Sequence, residues 1–323
     1  MQKALNNHFG DRLVHAIREK DAPVCVGLDP LIERLPSSLL HAHGVRLSGD
    51  HVAANAARSP AIAALREYCL AVIGVVAELV PAVKLNIAFF ERYGPEGLRV
   101  YGDLVAASHD AGLVVIGDVK RADIGHSAAQ YAYAHLEPHN GPASMEAADA
   151  VTVNPYFGWD GVAPFVEVAR KSGRGLFVLV QTSNASAKEV QGLRLSDGTI
   201  LCHAVGALVQ GWATADGLVG ESGYSSMGAV VSPRDLPSTE QLRTLMPNCL
   251  FLVPGFGAQG RTADEVARCF RSDGSGAIVT ASRSVIYAYD EPLYRERIGN
   301  DWKGCISQAC ADFLAAVRRT ATA

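Results

Sequence analysis

The sequence predicts an α/β protein of the (β/α)8 TIM-barrel class, and three observations carry that expectation. Eight short β-branched runs recur along the chain, a loop and a helical pattern follow them, and the runs are apolar almost throughout instead of alternating. Strands of that kind are buried on both faces, as in a parallel sheet covered by helices. Eight such units are the number that closes a barrel. The runs are "VCVGLD" (24–29), "AVKLNI" (82–87), "LVVIGDVK" (113–120), "AVTVNP" (150–155), "GLFVLVQTS" (175–183), "GAVVS" (228–232), "CLFLVPGFG" (249–257) and "GAIVTAS" (276–282).

The remaining elements follow from stripes and end signals. Residues 1–20 are amphipathic and predict an N-terminal helix. In "SPAIAALREYCLAVIGVVAELV", Ser59 reads as an N-cap and Pro60 as a first-turn proline. A further helix starts near Gly94 and stops at Gly112. Two connections exceed what a compact barrel needs, at about 30–60 after strand one and 184–227 after strand five, and long βα loops can serve as lids. The second holds a small hairpin around Asp197 and Gly198, then the helical pattern "ILCHAVGALVQGWATA". No linker or internal repeat divides residues 1–323, so one barrel domain is expected.

Composition narrows the function. The net charge is −4 with basic residues scattered, which leaves no electrostatic footprint for nucleic acid or an acidic membrane surface. Seven cysteines form no C-x-x-C pair and sit mostly in apolar stretches, which points to a reducing compartment. The N-terminal stretch lacks the continuous apolar core of a signal peptide, so a cytoplasmic protein is expected.

In barrels of this class the active site lies at the C-terminal ends of the strands. Polar residues there are Asp29, Lys84, Asn86, Asp118, Lys120, Asn154, Gln181, Ser183, Gln259 and Arg283, with Asp123 just beyond strand three. Side chains at i and i+2 share a face of a strand, so Asp118 and Lys120 of "GDVKRADIGHS" point into one pocket while Val119 points away. Asp123 breaks that parity, and periodicity does not place it. Unpaired buried charges cost several kcal/mol each, so carboxylates and ammoniums alternating on three successive strand ends point to chemistry more than to a structural salt-bridge network. After strands seven and eight, "PGFGAQG" and "TASRS" supply glycine-exposed backbone N–H groups, the Gln259 amide and the Arg283 fork, a donor set suited to phosphate. His41, His43 and His51 lie in a segment with little periodicity, and Pro138 interrupts the His135/His139 pair, so no metal site is expected. Trp159, Trp212 and Trp302 read as packing residues.

These motifs resemble orotidine 5'-phosphate decarboxylase in its longer bacterial form. The resemblance rests on "VCVGLDP", "VKLNIAFFERYG", "GDVKRADIGHSA", "VTVNPYFGWDGVAPF", "VLVQTSN", "PGFGAQG" and "SRSVIYA", in family order over nearly the whole chain. Related metal-dependent phosphosugar barrels share the D-x-K-x-x-D motif but typically carry a carboxylate at the second strand end, where this chain has Lys84. The resemblance implies decarboxylation of orotidine 5'-phosphate to uridine 5'-monophosphate with no cofactor. It implies Lys120 as cation and proton donor, Asp118 beside the departing carboxylate, and Asp29 and Lys84 at the ribose and in the charge network. Ser183 would read the pyrimidine edge, and Gln259 and Arg283 would hold the phosphate. It further implies a homodimer in which Asp123, Ile124 and Ser127 enter the neighbouring subunit's site. The alternatives are a metal-dependent phosphosugar-barrel lyase and a catalytically silent barrel that binds a phosphorylated ligand.

Overall fold

A computed structural model describes residues 8–48, 51–52, 58–138, 145–233, 235–257 and 263–321. Eight parallel strands close into a barrel: β1 Val24–Leu28, β2 Ala82–Asn86, β3 Val114–Arg121, β4 Ala150–Val153, β5 Gly175–Gln181, β6 Met227–Val231, β7 Phe251–Val253 and β8 Ala277–Ala281. Each pairs with its sequence neighbours, and β1 closes on β8. The long helices are α1 Phe9–Lys20, α2 Arg58–Val76, α3 Gly94–Asp110, α4 Gly125–Leu136, α5 Trp159–Ser172, α6 Leu201–Ala213, α7 Leu236–Leu245 and α8 Trp302–Ala321.

Side-chain alternation divides the core in two. Outward positions such as Val24, Val26, Val83, Val115, Val151 and Val178 pack under the helices, where β-branched side chains fit the pleat. Inward positions such as Cys25, Ala82, Val114, Ile116, Ala150, Phe177 and Ile278 fill the lumen. Further up the same inward rows the residues become polar: Lys84, Asp118, Lys120, Thr152 and Thr280. The barrel is therefore apolar below and charged at its mouth.

Helix α1 closes the lower end. Phe9 meets Phe177 edge-on with ring centroids 5.8 Å apart. Gly175 makes that approach possible, since a Cβ there would lie 2.0 Å from the Phe9 ring. Asp11 accepts from the backbone N–H groups of Glu221 and Ser222. Arg12 donates to Asp149 Oδ1 at 2.6 Å, while His109 Nε2 and Val115 N–H reach Asp149 Oδ2 at 3.0 and 2.8 Å. Burial alone would raise the Asp149 pKa, but the His109 hydrogen bond, the Arg12 charge and the Val115 N–H outweigh it and hold the carboxyl well below its ordinary 3.8. A depressed folded pKa stabilises the protein at pH values above the unfolded pKa, and that stability fades as pH falls through the folded value. Asp149→Asn is thus expected to cost about 3 kcal/mol at pH 7, because Arg12 loses its buried partner, and the difference from wild type should shrink below about pH 4. Urea unfolding at both pH values checks this; coincident midpoints at pH 7 would refute it.

Several boundaries differ from the sequence expectation. Ser59 lies inside α2, which already begins at Arg58, so it is no N-cap; Pro60 remains in the first turn, where its missing N–H is harmless. The same helix ends at Val76, four residues early. Strand β7 stops at Val253 because Pro254 has no N–H to donate and Gly255 takes φ +96°. The presumed loop after β1 contains a turn of 3-10 helix at Ile32–Arg34, a short helix Ser37–Ala42 and two-residue antiparallel strands at Leu47–Ser48 and His51–Val52. The presumed loop 184–227 contains α6, which is simply the barrel helix following β5, preceded by the short helix Ala187–Gln191 and the expected hairpin, where Leu195 and Thr199 pair across Gly198. The N-terminal helix begins at Phe9, and residues 1–7 and His139 lie outside the described residues.

All seven cysteines are free and buried. Among the described residues, one helical segment, Ser59–Val76, is long and apolar enough to cross a membrane. Half of it is buried in this barrel, where it packs against α3 and α8.

Candidate active site

The inward polar residues converge on a cavity of about 240 Å³ at the C-terminal end of the barrel. Asp29, Lys84, Asp118, Lys120, Ser183 and Arg283 all line it, as do Asn86, Thr152, Thr182, Thr280 and Ser282. Its walls are completed by Leu179, Val230, Leu252 and the Pro254–Phe256 turn.

Asp118 is the hub. Lys84 Nζ donates to its Oδ2 at 2.7 Å, and Lys120 Nζ donates to its Oδ1 at 2.5 Å. Thr152 Oγ1 also donates to Oδ1, at 2.9 Å, and accepts the Lys120 backbone N–H at 3.0 Å. Asp29 stands 3.9 Å from Lys84 Nζ, and its backbone carbonyl accepts from the Tyr287 hydroxyl, which in turn accepts the Leu31 N–H.

The path of β3 explains how Lys120 reaches this hub. The pairing of β3 with β4 shifts register between Gly117 and Arg121, and inside that irregularity Lys120 adopts φ +45°. Only one other non-glycine residue among those described has positive φ. Such a conformation costs roughly 1–3 kcal/mol and persists only where surrounding contacts enforce it. Here the enforcing contacts are the Thr152 hydroxyl and the ion pair with Asp118. Beyond the bulge, Arg121 pairs with Glu91 and donates to the Val119 carbonyl.

Burial and charge act oppositely on this cluster. Burial alone would raise the Asp118 pKa, but the Lys84 and Lys120 ammoniums hold it well below 3.8. Burial alone would lower that of Lys84, but Asp118 and Asp29 push it above its ordinary 10.5. At neutral pH the lumen therefore holds a fixed anion braced by a buried cation. Lys120 differs from Lys84 in exposure: its side chain is 49% exposed, against 10%. Of the two ammoniums bound to Asp118, it is the one that a ligand can reach.

Not every residue expected at the mouth is there. Gln181 has inward parity, but the β5–β6 pairing shifts register between Leu179 and Gln181 and turns the side chain outward. Its amide donates to the Ser232 carbonyl at 2.6 Å and accepts from Ser238 Oγ at 3.1 Å, tying β5 to the start of α7. Asn154 is spent on a turn, where its Oδ1 accepts the Tyr156 N–H. Gln259 lies outside the described residues. Asp123, Ile124 and Ser127 do not line this chain's cavity. Asp123 Oδ1 accepts the Ile124 N–H at 2.8 Å, and Ile124 and Ser127 are exposed at the start of α4. Gly161 of α5 packs under this turn; a Cβ there would lie 3.1 Å from the Asp123 carbonyl. Around the same surface Tyr131, Tyr156, Phe157 and Trp159 are also exposed.

Two contributors escaped the sequence reading. Thr152 sits two residues after the inward Ala150, so the parity that located Asp118 and Lys120 would have found it in "AVTVNP". Tyr287 had no local signal, because its link to Asp29 spans 258 residues. The expected packing roles hold for Trp212 and Trp302, which pack against Trp159 and Tyr68 respectively. The described residues contain no cluster of three or more histidine, cysteine or carboxylate side chains able to hold a metal.

Comparison with known proteins agrees with this architecture. Residues 22–294 match the model of the orotidine 5'-phosphate decarboxylase / HUMPS family. An orotidine 5'-phosphate decarboxylase of Rhodopirellula baltica is 40% identical over 281 residues, covering 87% of this chain and 89% of that protein. One from Caldicellulosiruptor bescii is 37% identical over 292 residues, covering 90% and 92%. Among solved structures, the Leishmania donovani OMP decarboxylase superposes with TM-score 0.71 at 26% identity, over 98% of this chain and 99% of that one.

Proposed function

The chain belongs to the orotidine 5'-phosphate decarboxylase / HUMPS family, and on that premise we propose how its pocket converts orotidine 5'-phosphate to uridine 5'-monophosphate and CO2. It is a carboxy-lyase of pyrimidine biosynthesis. The observation that carries the mechanistic reading is the Lys84–Asp118–Lys120 cluster, with one ammonium buried and the other turned toward the cavity. The C6–carboxylate bond breaks, its electron pair stays on C6, and Lys120 Nζ both stabilises that vinylic carbanion and delivers a proton to it. Asp118 stands beside the departing carboxylate. Two such charges about 4 Å apart repel by about 4 kcal/mol at an effective dielectric of about 20. That corresponds to roughly a thousandfold in rate, below the roughly million-fold lower end of typical enzymatic acceleration. Stabilisation of the carbanion by Lys120, and phosphate binding energy used to organise the site, supply the rest.

In this reading Asp29 and Lys84 contact the ribose, Ser183 reads the pyrimidine edge, and Arg283 with Gln259 holds the phosphate. The positions of Asp29, Lys84, Ser183 and Arg283 on one cavity support these roles. Asp123, Ile124 and Ser127 serve the pocket of a second copy, making the working unit a homodimer. In support, they lie outside their own cavity on a face where Tyr156 is 83% and Phe157 50% exposed, neighbouring aromatic side chains of the kind that mark interaction surfaces. The chain acts as one barrel in the cytoplasm, without nucleic-acid or membrane partners.

The test is direct. Purified protein mixed with orotidine 5'-phosphate should produce the fall in ultraviolet absorbance that accompanies loss of the carboxylate, and excess chelator should not change the rate. Absence of turnover would overturn the decarboxylase reading. Activity abolished by chelator and restored by a divalent metal would favour a metal-dependent lyase instead.

A further inference from the structure

We infer that Gln191, which lies outside the cavity, is a positioning residue that sets Ser183 for reading the base; the inference rests on the role proposed for Ser183. Ser183 lies two residues beyond the end of β5, so no strand pairing holds it. Its neighbours are held instead. Gln181 is fixed to Ser232 and Ser238. Thr182 is gripped at its N–H and its hydroxyl by one side chain: Gln191 Oε1 accepts the Thr182 N–H at 2.9 Å, and Gln191 Nε2 donates to Thr182 Oγ1 at 2.7 Å. The Thr182 hydroxyl then donates to Asn184 Oδ1 at 2.6 Å. Both residues flanking Ser183 thus belong to a network anchored on Gln191.

The chemistry of the side chain matters. A primary amide offers an acceptor to the peptide N–H and a donor to the hydroxyl in one plane, a match that neither a carboxylate nor an apolar group reproduces. Gln191 is the last residue of the short helix Ala187–Gln191, which gives the segment inserted before α6 a purpose, since it loops out and returns this amide to the strand end. Arg283, after β8 and three strands around the barrel from β5, takes part in none of these hydrogen bonds.

The experiment compares two competitive inhibitors, uridine 5'-monophosphate, which presents base and phosphate, and inorganic phosphate, which presents only the latter. Q191A is expected to weaken uridine 5'-monophosphate about fivefold to tenfold, the size of one well-formed hydrogen bond, and to leave phosphate inhibition within about twofold. S183A should show the same split, and the double variant should be no worse than S183A alone, because the two residues act through one contact. Q191E keeps the acceptor for Thr182 N–H and should fall between wild type and Q191A, which preserves the test should Q191A fail to fold. Equal weakening of both inhibitors, or additive losses in the double variant, would overturn the positioning role. An S183A variant indifferent to uridine 5'-monophosphate would instead remove the base-reading role of Ser183, and the inference with it.

Discussion

Lys120→Ala is expected to fold normally, bind uridine 5'-monophosphate within about tenfold of wild type, and lose at least about 10⁴-fold in kcat. The fold should survive because Asp118 keeps two of its three partners, Lys84 and Thr152, and because alanine at φ +45° is no more strained than lysine. The rate should collapse because in the proposed mechanism one side chain supplies both the nearest cation and the transferred proton. Removal of a general acid typically costs 10²–10⁴-fold and removal of a preorganised charge about 10²–10³-fold. Lys120→Arg separates the two contributions: guanidinium keeps the charge but gives up a proton far less readily. Single-turnover absorbance measurements on both variants provide the check. Activity in Lys120→Ala within about tenfold of wild type would assign the proton transfer elsewhere.

Mixing an inactive Lys120→Ala protein with an inactive Asp123→Ala protein is expected to restore activity. In each hybrid dimer one site has lost both residues while the other combines an intact Lys120 with an intact Asp123 from its neighbour. Random exchange would make half of the dimers hybrid, so recovery should approach about a quarter of wild-type activity. The prediction draws on the position of Asp123, whose carboxylate accepts its own Ile124 N–H at a turn outside this chain's cavity, next to exposed aromatic surface. If tagged subunits demonstrably exchange and the mixture stays inactive, the shared-site arrangement is wrong.

Much of the site could be read from alternation, because the direction of a strand side chain is a local property. Positions 114, 116 and 118 face the lumen as two-residue periodicity requires, Lys120 reaches the same cavity through the irregularity in β3, and the change from Val114 and Ile116 to Asp118 and Lys120 marks where the packed core ends and the cavity begins. The same rule misplaced Gln181, because a register shift between β5 and β6 resets the parity and nothing in "VLVQTS" announces it. Thr152 obeys the rule, yet a lone threonine in an apolar strand carries no charge to mark it as part of a site. Arg283 was legible because its expected seat is defined by barrel topology. Tyr287 and Gln191 were not, since each acts through a hydrogen bond to a residue whose proximity only the closed fold creates. The two long connections were hardest. Their elements are a few residues each, too short for a periodic pattern, and the hairpin before α6 disguised an ordinary barrel helix as part of an insertion.

Helix α1, with Phe9 set against Phe177, gives the barrel a floor. Among the described residues the cavity therefore opens at one end, and in the proposed reaction orotidine 5'-phosphate, CO2, uridine 5'-monophosphate and the proton that recharges Lys120 all pass the same rim. In the proposed binding mode, a nucleotide seated at the mouth by its phosphate is also the stopper of the vessel. CO2, small and uncharged, can slip past that stopper, whereas the apolar packing of the floor, among the described residues, denies water a second route to the nascent carbanion.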